Sequence, residues 1–466
     1  MLSVLGLITH GMSEIIIPRD KLYLPMKFII QAGREALESN GGLVLAGKIF
    51  AGLDLDRRVN AIKIDGVLEP KITNGDVVRS YFGLLVLGRT AYEDIELYRA
   101  NGFFRRALGI RRAPSAETLR QRMDGAEGQF DFAIKEANAL LLRRATLTPV
   151  KTERGEYLPL DVDVSPFDNS KSHKEGVGRT YKGMDGYAPN FAYVGTEGYM
   201  LNCELRPGTQ HCQKGTPEFL AETFKLVEQS RVTQQVLIRM DSGNDAAVNV
   251  RLCRKEGRPY IIKRNLRRES LEDWLAIAKI YGVATQPRPG KTVYIGACTR
   301  FMNDWQGNQE PWRIVFEVTV RTIKANGEQL LLPEIDADTY WTGLAEYAET
   351  VIELYHAHGT SEQFHSELKS DMGVERLPSG KFKTNATVLQ SAMMAFNTLR
   401  RIGQGILALA EALPLQVTVQ RRRLRSVLQD IMYLACKYVQ RSHRHFLKFN
   451  HTCPWLRAVE ILYARL

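Results

Sequence analysis

The sequence predicts an α/β fold with a mixed sheet at its centre and helical regions at both ends. Three observations predict it. Short apolar runs bounded by Gly, Pro and Asn fill residues 156–265, with helical segments between the later ones. The preceding residues, 27–145, carry helical patterning with no β-rich stretch. Further strand-like runs at 290–335 give way to helical periodicity that Pro414 stops.

Taken in order, the amino-terminal helices are expected at Met26–Glu38, Asp76–Leu87, Ala91–Ala100 and Ala116–Met123, the last with Ser115 as its cap. Arg105, Arg106, Arg111, Arg112, Arg120 and Arg122 crowd this region against Glu117 and Asp124. The cluster reads as a helix-turn-helix-like grip on DNA or, equally, as a solvated arginine face. Tyr157–Val164, Gly186–Val194 and Tyr199–Leu205 are then strands, the last two joined by a Gly-Thr-Glu-Gly turn. Thr216–Gln229 is helical, Val236–Met240 is a dense apolar strand ending at Asp241, Asp245–Glu256 is helical and Tyr260–Lys263 is a strand. The order is β-β-β-α-β-α-β. Thr292–Ala297, Trp312–Arg321 and Gln329–Leu332 suggest a β-rich insertion, and Leu344–Met372 and Thr387–Leu413 are helical. Four regions follow: 1–150, helical; 151–270 with 340–400, the core; 271–339, the insertion; and 401–466, a basic helical tail.

Composition narrows the partner. Of 466 residues 44% are hydrophobic, enough for real cores, and 63 Lys and Arg against 52 Asp and Glu leave a formal charge of +11. Such a surplus favours a polyanion over an acidic small molecule, and it argues against a sugar-cleaving carboxylate pair. Six scattered cysteines show no zinc spacing and suit a reducing compartment. No run approaches a membrane span, so a cytoplasmic, nucleoid-associated protein without a membrane partner is expected. The tail carries ten Lys or Arg over 419–466, including Arg421, Arg422 and Arg423, interleaved with Tyr433, Tyr438, Phe446, Phe449 and Trp455. That interleaving favours DNA contact over a solvated helix end.

Carboxylates carry the chemistry. In a strand order of ribonuclease H type the first and fourth strands are neighbours, which brings Asp163 and the strand-end Asp241 together. Asp161 points to the same strand face as Asp163, so geometry leaves it a rival. Asp245, a turn beyond Asp241, reads as a helix cap or a solvated residue. Hard oxygen ligands of this kind suit divalent magnesium, and a helix laid over the sheet can add a third. Between Leu344 and Met372, Tyr355, His358, Glu362 and Lys369 fall within an arc of about 60° on one helical stripe. A capping box at Thr360-x-x-Gln363 would instead start a new helix there. Glu367 lies off the stripe, and His365 reads as structural or solvated.

The spacing Tyr355-x-x-His358-x-x-x-Glu362-x6-Lys369 resembles the Tyr-Arg-Glu-Lys signature of the DDE transposases of bacterial insertion sequences, with His in place of Arg. Leu160-Asp161-Val162-Asp163-Val164-Ser165 is similar to that family's Leu-Asp-x-Asp-x-Thr strand. Gly186-Tyr187-Ala188-Pro189 and Leu205-Arg206-Pro207-Gly208 look like its following hairpin. Ile238-Arg239-Met240-Asp241-Ser242-Gly243 resembles its Arg-x-Asp-Ser-Gly segment, and Ala107-Leu108-Gly109 with Ser115-Ala116-Glu117-Thr118-Leu119 resembles its helical amino-terminal part.

The resemblance implies a ribonuclease H-like core with a β insertion before the glutamate, acting as a cut-and-paste enzyme on the terminal inverted repeats of an insertion sequence and on target DNA. It implies that Asp163, Asp241 and Glu362 ligate two magnesium ions, with manganese substituting, and that Tyr355 and Lys369 touch the phosphates of the transposon end. Asp163 is preferred to Asp161 because its spacing to Ser165 matches the family's pattern. His358 lacks arginine's fork of donors, which weakens a phosphate role for it. A homodimer in the DNA complex is expected. The second reading is a DNA-binding derivative that no longer cleaves.

Overall fold

The structure is a computed structural model and describes residues 35–67, 70–304, 306–414 and 419–466. Its centre is a mixed sheet whose strands run β1 Glu156–Val164, β2 Asn190–Val194, β3 Tyr199–Glu204, β4 Gln235–Met240, β5 Tyr260–Lys263, β6 Gly282–Arg288, β7 Lys291–Asn303, β8 Gln309–Ile323 and β9 Gln329–Thr342. Across the sheet they lie in the order β6-β7-β8-β9-β5-β4-β1-β2-β3. Strands β1, β4 and β5 are parallel to one another, with Leu160 beside Ile238 and Ile261 beside Arg239, whereas β2 and β3 form an antiparallel hairpin against β1 and β9 runs antiparallel to β5. Val236, Leu237, Ile238 and Met240 are all buried, as expected of a parallel strand covered on both faces.

Helices cover the sheet: α1 Thr216–Gln229, α2 Ala247–Lys255, α3 Leu271–Tyr281, α4 Ala348–His356, α5 Ser361–Ser366 and α6 Phe382–Leu407. Val351, Ile352 and Leu354 of α4 join Tyr157, Leu237, Ile261, Val315 and Tyr340 in one apolar cluster, which seats α4 across the strands. The long helix α6, with most of its length buried, packs on β3 and on the helix Asp131–Leu142.

Several expectations need correction. The run Gly186–Val194 is two strands, because Pro189 has no N–H to donate to a ladder: Asp185–Tyr187 belongs to a small separate sheet, and the path resumes at Asn190. The region 271–339 opens with the helix α3, and its strands are continuous with the core, since β9 pairs directly with β5. The expected helix Ala91–Ala100 is a 3-10 turn at Tyr92–Leu97. Of the expected helix Met26–Glu38, residues 26–34 lie outside the described residues, and Leu37–Glu38 is a short strand paired with Lys437 and Cys436. The tail is not all helical: β10 Cys436–Arg441 and β11 Arg444–Phe449 form a hairpin there.

In the amino-terminal region Ser115 does cap the helix Ala116–Ala126, its side chain accepting from Thr118 N. The arginine cluster divides. Arg122 is buried and bonded to Asn74, Arg120 is bridged to Glu117, and Arg106, Arg111 and Arg112 are exposed. Among the described residues no helix is long and apolar enough to cross a membrane.

Candidate active site

The parallel register of β1 and β4 pairs Asp161 with Arg239 and Val162 with Met240. One step on, Asp163 and Asp241 stand near the strand ends, on the same face as Asp161 and Arg239. Asp163, Asp241, Glu362, Tyr355, His358 and Lys369 all line one open cavity of about 940 Å³. Ser165, Tyr181, Lys182 and His365 line it too. Among the described residues, no three or more Asp, Glu, His or Cys side chains come close enough to hold a metal ion together. Glu362 faces the cavity from an exposed position, apart from the two aspartates.

The two aspartates differ electrostatically. Burial raises the Asp241 carboxyl above its usual pKa, the neighbouring Asp163 charge raises it further, and the Asn244 amide, 2.9 Å from Oδ1, opposes them. Burial also acts to raise Asp163, but the hydrogen bond and charge of His365, with the charge of His358, outweigh it and hold Asp163 below the carboxylate range. Two adjacent acids that penalise each other's ionisation are a donor set a divalent cation relieves, and their oxygens are the hard ligands magnesium prefers. The residues present fit such an ion in chemistry.

Asp161 is not available to this cavity. It is 2% exposed, and Arg239 donates to both its oxygens from Nε at 2.6 Å and Nη2 at 2.8 Å. His358 Nδ1 lies 2.8 Å from Oδ1 as well. Arg239 also donates to the Leu354 carbonyl at 2.6 Å, so one buried cluster locks α4 to the sheet. His358 Nδ1 is thereby committed to Asp161, while the residue still lines the cavity. Burial alone would lower its pKa, but the Asp161 charge holds it above the usual histidine value. The signal was legible in part, because an arginine within the apolar run Val236–Met240 requires a buried acid.

The segment that carries Glu362 is helical without a new cap. Thr360 has helical backbone angles and makes no side-chain cap; α4 passes through the 3-10 turn Ala357–Thr360 into α5 and then a π-helical turn, Glu367–Asp371. Phe364 fixes its depth: a Cβ on Gly198, whose φ is +71°, would stand 2.2 Å from the Phe364 ring. His365 is buried, with Nε2 3.2 Å from Asp163 Oδ2 and Nδ1 3.2 Å from the Tyr193 hydroxyl. Burial lowers its pKa, and the bond to the carboxylate places a proton on Nε2. Sequence reasoning left His365 structural or solvated, because its partners lie on β1 and β2.

Lys369 bonds the Pro166 carbonyl at 2.6 Å and lies 5.5 Å from the Phe167 ring centroid at the cavity wall. Burial lowers its pKa. The Tyr355 ring packs at a tilt against Tyr340 and His358, with centroids 4.7 and 5.7 Å away. Tyr181 and Lys182 were missed: they sit on a loop of the small sheet, where no spacing marks them. Asp245 is neither a cap nor solvated, since its carboxylate is buried and accepts from Trp341 Nε1 and Asn265 N.

The three tail arginines are engaged by carboxylates of the chain, with Arg422 buried, Arg421 partly buried and Arg423 exposed. Glu367 accepts from Arg400 at 3.0 Å, Arg421 at 3.2 Å and Leu424 N at 2.9 Å. Arg422 pairs with Asp430 over Trp455, and Arg423 pairs with the buried Asp371. The run straps the tail to the segment carrying Glu362, and its cations are already neutralised.

No curated protein matches the chain. Among solved structures, it is similar to a piggyBac transposase in a synaptic complex with hairpin DNA, at 11% identity, over 79% of this chain and 77% of that one, with a TM-score of 0.39. The family described as transposase DDE domain group 1 matches residues 28–466. By that match over nearly its whole length, the chain belongs to the DDE-domain transposases.

Proposed function

We propose that this transposase cleaves DNA at the inverted-repeat ends of a mobile element and joins the freed ends to target DNA by a cut-and-paste route, on a ribonuclease H-like core. Asp163, Asp241 and Glu362 would hold two magnesium ions, for which manganese would substitute. The observation that carries this reading is the convergence of these three acids, from two neighbouring strands and an overlying helix, on one cavity. When bound, the metals activate a water or 3′-hydroxyl for in-line attack and stabilise the leaving oxygen.

The chain's own groups do the rest. His365 orients Asp163, Asn244 orients Asp241, and the Asp161, Arg239 and His358 cluster sets the height of α4 above the sheet. Tyr355 and Lys369 line the cavity where the phosphates of the transposon end would lie, with the exposed Lys182 opposite. A homodimer on paired ends and a nucleoid location belong to the same reading.

The test is cleavage of a duplex carrying the element's own ends in magnesium. Wild type should nick at those ends and Glu362→Ala should not; nicking by the variant at the wild-type rate would overturn the assignment.

A further inference from the structure

The hairpin β10–β11 near the carboxyl terminus has two unlike faces. Antiparallel register puts Cys436 opposite Phe449, Tyr438 opposite Leu447 and Gln440 opposite His445 on one of them. That face turns to the protein: Cys436 is buried, and the Tyr438 ring lies 5.8 Å from Phe103. The other face carries Arg441 opposite Arg444, Val439 opposite Phe446, and Lys437 opposite Lys448.

Like charges directly opposite one another weaken a strand pair, and here two such rows bracket an exposed aromatic ring. Phe446 is 42% exposed, and Arg441, Arg444 and Lys448 are exposed as well. Among the described residues none of these three cations has an ion-pair partner, and residues 436–449 contain no Asp or Glu. The turn at the tip is tight, with Ser442 and His443 both at positive φ, 43° and 64°, which is the geometry of a two-residue hairpin loop. The arrangement contrasts with the Arg421–Arg423 run, whose cations are all paired internally.

We propose that this face of the hairpin is a binding surface for duplex DNA. It rests on the reading of the chain as an enzyme acting on DNA, and it adds where the duplex is held away from the catalytic cavity. Four residues of strand separate the arginine row from the lysine row, about 13 Å. The major groove is about 12 Å wide. The two basic rows thus reach the phosphates on both walls of the groove, with Phe446 over the space between. Binding of the polyanion offsets the repulsion built into the Arg441–Arg444 row.

The experiment measures affinity of the full chain for a labelled duplex by fluorescence anisotropy over a range of salt. For the triple variant Arg441→Ser, Arg444→Ser, Lys448→Ser, the expected result is an unchanged thermal midpoint, at least about 10-fold weaker binding, and a log–log salt slope reduced by about 2.7, three contacts' worth. Arg444→Ser alone should reduce the slope by about 0.9. Phe446→Ser should weaken binding and leave the slope unchanged, since it removes no charge. If the folded triple variant keeps wild-type affinity and slope, the hairpin assignment is overturned and the transposase reading stands. If wild type binds no duplex at all, both fall. If wild type binds single strands through these residues and duplex without them, the groove assignment is overturned.

Discussion

Asp161 and Arg239 face one another in register across two parallel strands, each no more than 3% exposed, joined by bonds of 2.6 and 2.8 Å. Removing one partner of a buried pair leaves the other charge uncompensated, which costs about 3–5 kcal/mol. Asp161→Ala should therefore lower the thermal midpoint by many degrees and loosen α4, while Asp163→Asn should melt near wild type and lose cleavage. Calorimetry of the two variants decides it: equal midpoints would mean that Asp161 does not anchor the helix.

Asp241 presents the opposite case. Burial and the Asp163 charge raise its pKa, so its protonated form is favoured by folding, and that contribution is lost as pH rises through the folded value. At neutral pH and without metal, the ionised pair is a liability. Asp241→Asn should stabilise the metal-free protein by on the order of 1 kcal/mol and abolish cleavage. A destabilised Asp241→Asn protein in chelator would contradict this account.

His365 should act through metal affinity, because it holds the carboxylate of Asp163 and touches nothing that reacts. Outer partners of this kind change metal binding by about 10–100-fold. His365→Phe should raise the manganese concentration needed for half-saturation, read by direct manganese binding as well as by nicking. His365→Gln, which keeps a donor, should recover part of the loss. Identical manganese affinity in all three proteins would reduce His365 to packing.

A half-buried carboxyl outside the site gives a pH-dependent prediction. Burial raises Asp131 from 3.8 to about 6, although the Thr387 hydroxyl, 2.6 Å from Oδ1, and Lys135 oppose it. A raised carboxyl contributes stability that is complete below the unfolded value and lost as pH climbs to the folded one. The stability of wild type relative to Asp131→Asn should fall between about pH 4 and pH 6 and stay level above. Chemical denaturation across that window tests it, and a constant difference would refute it.

How much was legible can be judged from these residues. The core strands were, because Val236–Met240 and Tyr260–Lys263 are dense apolar runs between clear breakers, and the local backbone has one way to bury them. The end of β4 at Asp241 was legible for the same reason. The helix α3 was not: it lies against the long strands of the insertion with Trp274 and Ala278 buried, and its strand-rich neighbourhood masked a single short stripe. The tail hairpin was not legible either, since alternating Lys, aromatic and Arg residues fit a solvated helix as well as a ribbon.

The sequence by itself determined the membership in a transposase family, the strand order of the core and the acids present at its edge, because these depend on local patterning and spacing. Only the tertiary structure decided what each charged group does. Asp161 and Asp163 have the same strand parity, and what separates them is that Arg239 and His358 enclose the first, while the second, held by His365, lines the cavity. Arg421, Arg422 and Arg423 are one basic run in sequence, and only the fold brings Glu367, Asp430 and Asp371 against them. A charge's role is set by the groups facing it, and those come from parts of the chain that no local spacing connects.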